Sequence, residues 1–208
     1  MSEGQIPIAA ERRRAAALAG HRSDMELAQQ FSGDSDASVR ATAFAALARA
    51  GGLDAASLLR GLRDRDAGVR RRCAALAATS ESRKEAVDEL LTLLTDRDPF
   101  VAETAAWSFG EWTTDNPRLT DTLTALVEMT TSHDEPLCRE AAVAALGAIG
   151  DDRGLAAILI ACGDKPAIRR RAVLALAPFD GADVEAAIDK ALKDRDWQVR
   201  QAAEDLRR

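Results

Sequence analysis

Few residues in this chain have the types and spacing that reactions require. There are two histidines, His21 and His133, and neither has a second His or a Cys at metal-ligand spacing. Cys73, Cys138 and Cys162 are odd in number, stand in alanine-rich apolar stretches and form no CxxC pair, which points to buried thiols rather than a disulfide framework or a zinc site. Gly51-Gly52 is not followed by the Gly-Lys-Ser/Thr of a phosphate loop and reads as a helix C-terminus, as does Gly150. No GxSxG nucleophile elbow occurs, and Asp34, Asp64, Asp96 and Asp194 are explained by turns and helix starts. No catalytic residue, metal site or cofactor site is expected, and the chain reads as a non-enzyme.

What recurs instead is arginine. Of 28 basic residues only Lys84, Lys165, Lys190 and Lys193 are lysines, and arginine is the residue suited to bidentate and stacked contacts. Arg40, Arg70, Arg139, Arg169 and Arg200 each follow an apolar anchor residue, with acids nearby: Asp36-Ala-Ser-Val39-Arg40, Asp66-Ala-Gly-Val69-Arg70, Glu135-Pro-Leu-Cys138-Arg139, Lys165-Pro-Ala-Ile168-Arg169 and Asp196-Trp-Gln-Val199-Arg200. A sixth copy, Asp98-Pro-Phe-Val101-Ala102, lacks the arginine. The aliphatic anchors step by 30, 32, 37, 30 and 31 residues, the period of a helical repeat array. A worn copy at Arg12-Arg13-Arg14-Ala15-Ala16-Ala17-Leu18-Ala19 nearly duplicates Arg70 to Ala77. The arginine after each anchor is expected to pair with an acid of a neighbouring turn.

Each copy carries helix-start chemistry. Asp36, Asp66, Asp98 and Asp196 can accept from free first-turn amides, and Pro99, Pro136 and Pro166 occupy a position whose missing N–H costs nothing. These are the B helices. At about 100° per residue, offsets 0, +4, +7, +8 and +11 from the anchor share one arc, Val101, Ala105, Ser108, Phe109 and Trp112 in one copy and Cys138, Ala142, Ala145, Leu146 and Ile149 in the next, so this arc is expected to be core. Shorter amphipathic A segments lie between, at 25–31, 55–62, 84–94, 119–129, 155–162 and 184–192. The longest spacing is accounted for by an inserted turn, Thr113-Thr114-Asp115-Asn116-Pro117.

Composition agrees. With 47% hydrophobic residues but only 4% aromatics and no tyrosine, the core must be small and aliphatic, which favours helices over strands. The expected fold is all-α, a right-handed α–α superhelix of about six helix pairs plus an N-terminal capping helix. Its single domain spans 1–208, with the cap at about 7–20 and repeats at about 21–50, 51–80, 81–113, 114–150, 151–179 and 180–208. No stretch approaches the roughly 18 apolar residues of a membrane span, and the N-terminus lacks signal-peptide order, so a cytoplasmic, monomeric protein is expected.

The phrase Asp-x-x-Val-Arg-x-x-Ala-x-x-Ala-Leu-Gly-x-Ile-Gly, fullest at Glu140-Ala-Ala-Val-Ala-Ala-Leu-Gly-Ala-Ile-Gly150, resembles the short HEAT repeat of phycobilin lyase subunits and bacterial scaffolds. The resemblance runs from about residue 11 to 208 and implies a helical solenoid whose B helices line a concave surface. HEAT-like deoxyhypusine hydroxylases are similar in fold but use repeated His-Glu pairs, and no His-Glu dipeptide exists here.

On that implied surface, offsets +2, +3, +6 and +10 point away from the core. They place arginine pairs Arg13-Arg14, Arg71-Arg72 and Arg170-Arg171 there, with Glu103, Glu111 and Glu140 near the middle and Trp107 among them. The candidate partner-binding residues are therefore Phe100, Trp107, Arg71, Arg72, Glu103, Glu111, Arg170 and Arg171, with the two aromatics as anchors. Trp112 and Trp197 are read as packing. The leading expectation is a scaffold that binds another protein. The alternatives are nucleic acid along the groove arginines, opposed by a net charge of −6, and a lyase-like subunit holding a bilin.

Overall fold

A computed structural model of the chain describes residues 8–112 and 115–208. The described residues form thirteen α-helices and two short 3-10 turns. The expected cap begins at residue 7 and the inserted turn includes Thr113 and Thr114, so both lie partly outside the described residues.

Contacts cluster into two compact units that meet at Leu90/Leu91. In the first, α1 (Ala9–His21), α3 (Ala37–Ala50) and α5 (Ala67–Ala77) form one row, while α2 (Met25–Phe31) and α4 (Ala55–Leu62) pack behind it; α6 (Val87–Leu93) crosses the boundary. In the second unit α7 (Pro99–Gly110), α9 (Pro136–Ile149), α11 (Pro166–Ala175) and α13 (Trp197–Leu206) form the corresponding row. The helices α8 (Leu119–Ser132), α10 (Leu155–Ala161) and α12 (Ala182–Ala191) pack behind them. This is an all-α repeat of the solenoid class, with each A–B pair completing its apolar cover on the next.

The row helices start as their sequences dictate. Asp36, Asp66, Asp98 and Asp196 each cap a helix by accepting first-turn amides, at 2.8 to 3.4 Å. Gly51 and Gly150 close α3 and α9 in the left-handed conformation, with φ of 75° and 68°, which a side chain would strain. The anchors Val39, Val69, Val101, Cys138, Ile168 and Val199 are all buried. Burial also pushes the Cys73 thiol up to about 12 and the Cys138 and Cys162 thiols up to about 11; Cys162 is only partly buried.

Small residues let the rows close up. A Cβ added to Gly20 of α1 would lie 2.7 Å from the Ala46 Cα of α3, and one on Gly147 of α9 would lie 2.6 Å from the Ala175 Cα of α11. Helix backbones are thus in direct contact, and the alanine-rich composition is what permits it.

The recurring arginines tie successive turns together. Arg40 donates Nε and Nη2 to the two Asp64 oxygens, both at 2.7 Å, and Nη1 to the carbonyls of Asp34 and Ser35. Arg139 and Arg169 repeat the arrangement with Asp164 and Asp194. Arg12 of the worn copy does the same with Asp34, at 2.7 and 3.0 Å. These aspartates also accept an amide in their own turn, as Asp64 does from Asp66 and Asp194 from Asp196. Arg200 donates to the carbonyls of Asp194 and Arg195. Where Ala102 replaces arginine, Cys138 Sγ meets the Pro99 carbonyl at 3.3 Å instead.

Candidate functional site

The candidate face begins on α7. Its capped, proline-led start sets the helix phase, and packing then hides Val101, Ala102, Thr104, Ala105, Ala106, Ser108, Phe109 and Gly110. Trp112, stacked on Phe109 at 6.2 Å between centroids, is buried as well. From Phe100 to Trp112 that leaves only Phe100, Glu103, Trp107 and Glu111 facing outward. Phe100 is 51% exposed and Trp107 45%, high values for aromatic side chains on a helix whose third aromatic, Phe109, is fully buried.

Neighbouring helices present the equivalent positions. Leu137 of α9 stands one residue before its anchor, as Phe100 does, and Leu174 of α11 stands six residues after its anchor, as Trp107 does; both are exposed. Between α7 and α9 lies an open groove of about 340 Å³ with Trp107 and Leu137 as its apolar lining. Ala141 and Ala144, which end at Cβ, leave that space empty, and Glu103, Glu140 and Arg171 supply its polar groups. Arg171 Nε lies 3.6 Å from Glu140, a loose pair joining α11 to α9.

The expected site residues therefore divide. Glu103, Trp107 and Arg171 line one groove; Phe100, Glu111 and Arg170 are on the same row of helices in the second unit; Arg71 and Arg72 are exposed on α5 in the first unit. Sequence offsets placed Glu140 on this face but missed Leu137, which shares the offset of Phe100 and could have been found by it. Trp197, expected to pack, is 64% exposed: it occupies the first position of α13, beyond the reach of the core arc.

A larger opening of about 610 Å³ lies among α10, α11, α12 and α13, but its Arg169 and Asp194 already bind each other at 2.7 Å and it is a gap between stacked pairs. The histidines are engaged locally: His21 Nε2 is 2.8 Å from Arg49 Nη1, and His133 Nδ1 accepts the Glu135 amide at 3.1 Å. Among the described residues no three His, Cys, Asp or Glu side chains converge to hold a metal ion, and no helix is long and apolar enough to cross a membrane.

A family model described as HEAT repeats matches residues 61–147 and again 88–177, together more than half of the chain. The chain belongs to the HEAT-repeat family. Solved structures resemble this HEAT-repeat chain over nearly its whole length. YibA of Escherichia coli matches 98% of it with 75% of its own chain, at a TM-score of 0.66 and 17% identity. An engineered protein covers 87% of it with 94% of its own chain, at 0.62 and 20% identity. A second engineered protein covers 98% of it with 64% of its own chain, at 0.64 and 20% identity. At such identities the likeness concerns the fold alone. No curated protein sequence matches the chain.

Proposed function

We propose that this HEAT-repeat chain is a non-enzymatic interaction module that holds a segment of another protein on the outward face of α7, α9 and α11. HEAT repeats generally mediate protein interactions, and their packing pattern leaves one helix face free for the purpose. The observation that carries the reading is the alignment of exposed apolar side chains on that face. Phe100 and Leu137 share one offset, Trp107 and Leu174 another, and Trp107 and Leu137 line a groove. At the same offsets α3 and α5 of the first unit carry Ser38, Ala45, Gly68 and Ala75. Isolated exposed apolar residues are ordinary, but four in register form a patch of the kind that marks an interface. Trp107 is the anchor, Phe100 its apolar neighbour, Glu103, Glu111, Arg170 and Arg171 the polar surround; Arg71 and Arg72 offer a second, basic contact on the first unit. One copy of the chain suffices for this.

The test is capture from the source organism's lysate on immobilised full-length chain, with Trp107→Ala alongside and circular dichroism confirming that it stays helical. The wild type should retain a protein that the variant loses. Equal retention by both would move binding off this face. A nucleic acid eluted steeply by salt would replace the protein reading altogether.

A further inference from the structure

We propose that the groove beside Trp107 receives a lysine or arginine side chain of the partner segment, set next to an aliphatic residue; the proposal rests on the α7–α9–α11 face being the binding surface. Glu103, Trp107 and Glu111 are spaced four residues apart, so the exposed indole stands between two carboxylates, one turn to either side. Glu140 adds a third from α9. Arg171 meets Glu140, whereas Glu103 receives only the Thr104 hydroxyl at 3.5 Å, and neither Glu103 nor Glu111 has a cationic partner among the described residues. Helix α7 contains no lysine or arginine, and Glu111 sits at its C-terminal cap, where free carbonyls already make the potential negative. An acid there works against the helix, so packing does not account for it.

The guest's chemistry follows. A cation approaching the indole face is attracted by the ring and by both flanking carboxylates. Its methylene stem would lie along Leu137 and the space left by Ala141 and Ala144, with the charged end kept near water. A carboxylate or phosphate in the same place would face Glu103 and Glu111 and could reach Arg171 only by displacing Glu140.

The experiment is selection of a random dodecapeptide display library on the full-length chain, in parallel with Trp107→Ala and with the double variant Glu103→Lys/Glu111→Lys. Peptides retained by the wild type and lost with Trp107→Ala should be enriched in Lys or Arg beside an aliphatic residue, and the double variant should lose that enrichment. Glu103→Gln/Glu111→Gln should weaken the best such peptide by about tenfold. A Trp107-dependent pool that is neutral or acidic would overturn the cation while leaving the face intact. A pool indifferent to Trp107 would overturn both. Sedimentation of the chain as a dimer that Trp107→Ala converts to monomer would give the groove to a second copy and overturn the peptide proposal.

Discussion

At the scale of single residues, arginines of identical chemistry carry unequal weight because their surroundings differ. Arg40 and Asp64 are almost wholly shielded, and Arg40 also satisfies two turn carbonyls. Arg63 reaches Glu89 at 2.5 Å but is mostly in solvent. Removing Arg40 strands a shielded carboxylate and leaves two carbonyls without their donor, so Arg40→Ala should destabilise the chain by about 2 kcal/mol. Arg63→Ala should cost less than about 1 kcal/mol. Urea titrations followed by circular dichroism would compare them, and equal midpoints would show the turn-to-turn pairs to be ornamental. Sequence made the role of these arginines legible, since each recurs one residue after an anchor with acids nearby. Which acids they bind was not legible. Asp34, Asp64, Asp164 and Asp194 lie 22 to 25 residues from their arginines, and only the packed rise of one pair on the next brings them together.

At the scale of helices, spacing is set by what is missing. Gly147 lets α9 rest on the backbone of α11, and a methyl group there would meet Ala175 Cα at 2.6 Å. Gly147→Ala should therefore destabilise by roughly 1 to 3 kcal/mol despite alanine's better helix propensity. Thermal unfolding of the variant checks this; an unchanged or raised midpoint would mean that the helices separate without penalty. Helix existence, caps and the core arc were readable from local pattern alone, because the anchor, the aspartate or proline at the start and the glycine at the end act within one helix. The groove was only partly readable. Offsets alone put Trp107 on the outer arc, but the Glu140–Arg171 pair and the Leu137 wall depend on how α7, α9 and α11 are spaced.

At the scale of the whole molecule, the shared chemistry of the turns predicts an acid response. Hydrogen bonds from Arg12, Arg139 and Arg169 hold the Asp34, Asp164 and Asp194 carboxyls below the usual range. At Asp64 burial is the largest influence and pushes the other way, but the Arg40 bond, the Asp66 amide and the nearby arginine charges together hold it below the usual range, while the Arg153 guanidinium lowers Asp151 to about 2. All are depressed in the folded state, so their contribution is complete above the unfolded aspartate value near 3.9 and is lost as pH falls toward the folded values. Melting temperature should be level from about pH 5 to 8 and fall steadily below about pH 4. A level profile down to pH 3 would count against the pairs as common fasteners.

Each row helix thus carries two messages interleaved in one stretch of chain. The positions at 0, +4, +7 and +8 are read by neighbouring helices, and those at −1, +2 and +6 are read by solvent and by whatever arrives from it. The two alphabets scarcely overlap. On α7 the second reads Phe100, Glu103 and Trp107, on α5 Gly68, Arg71 and Ala75, although the first is mainly apolar in both. A chain written this way can change its correspondent by rewriting a few letters while the grammar that folds it stays the same.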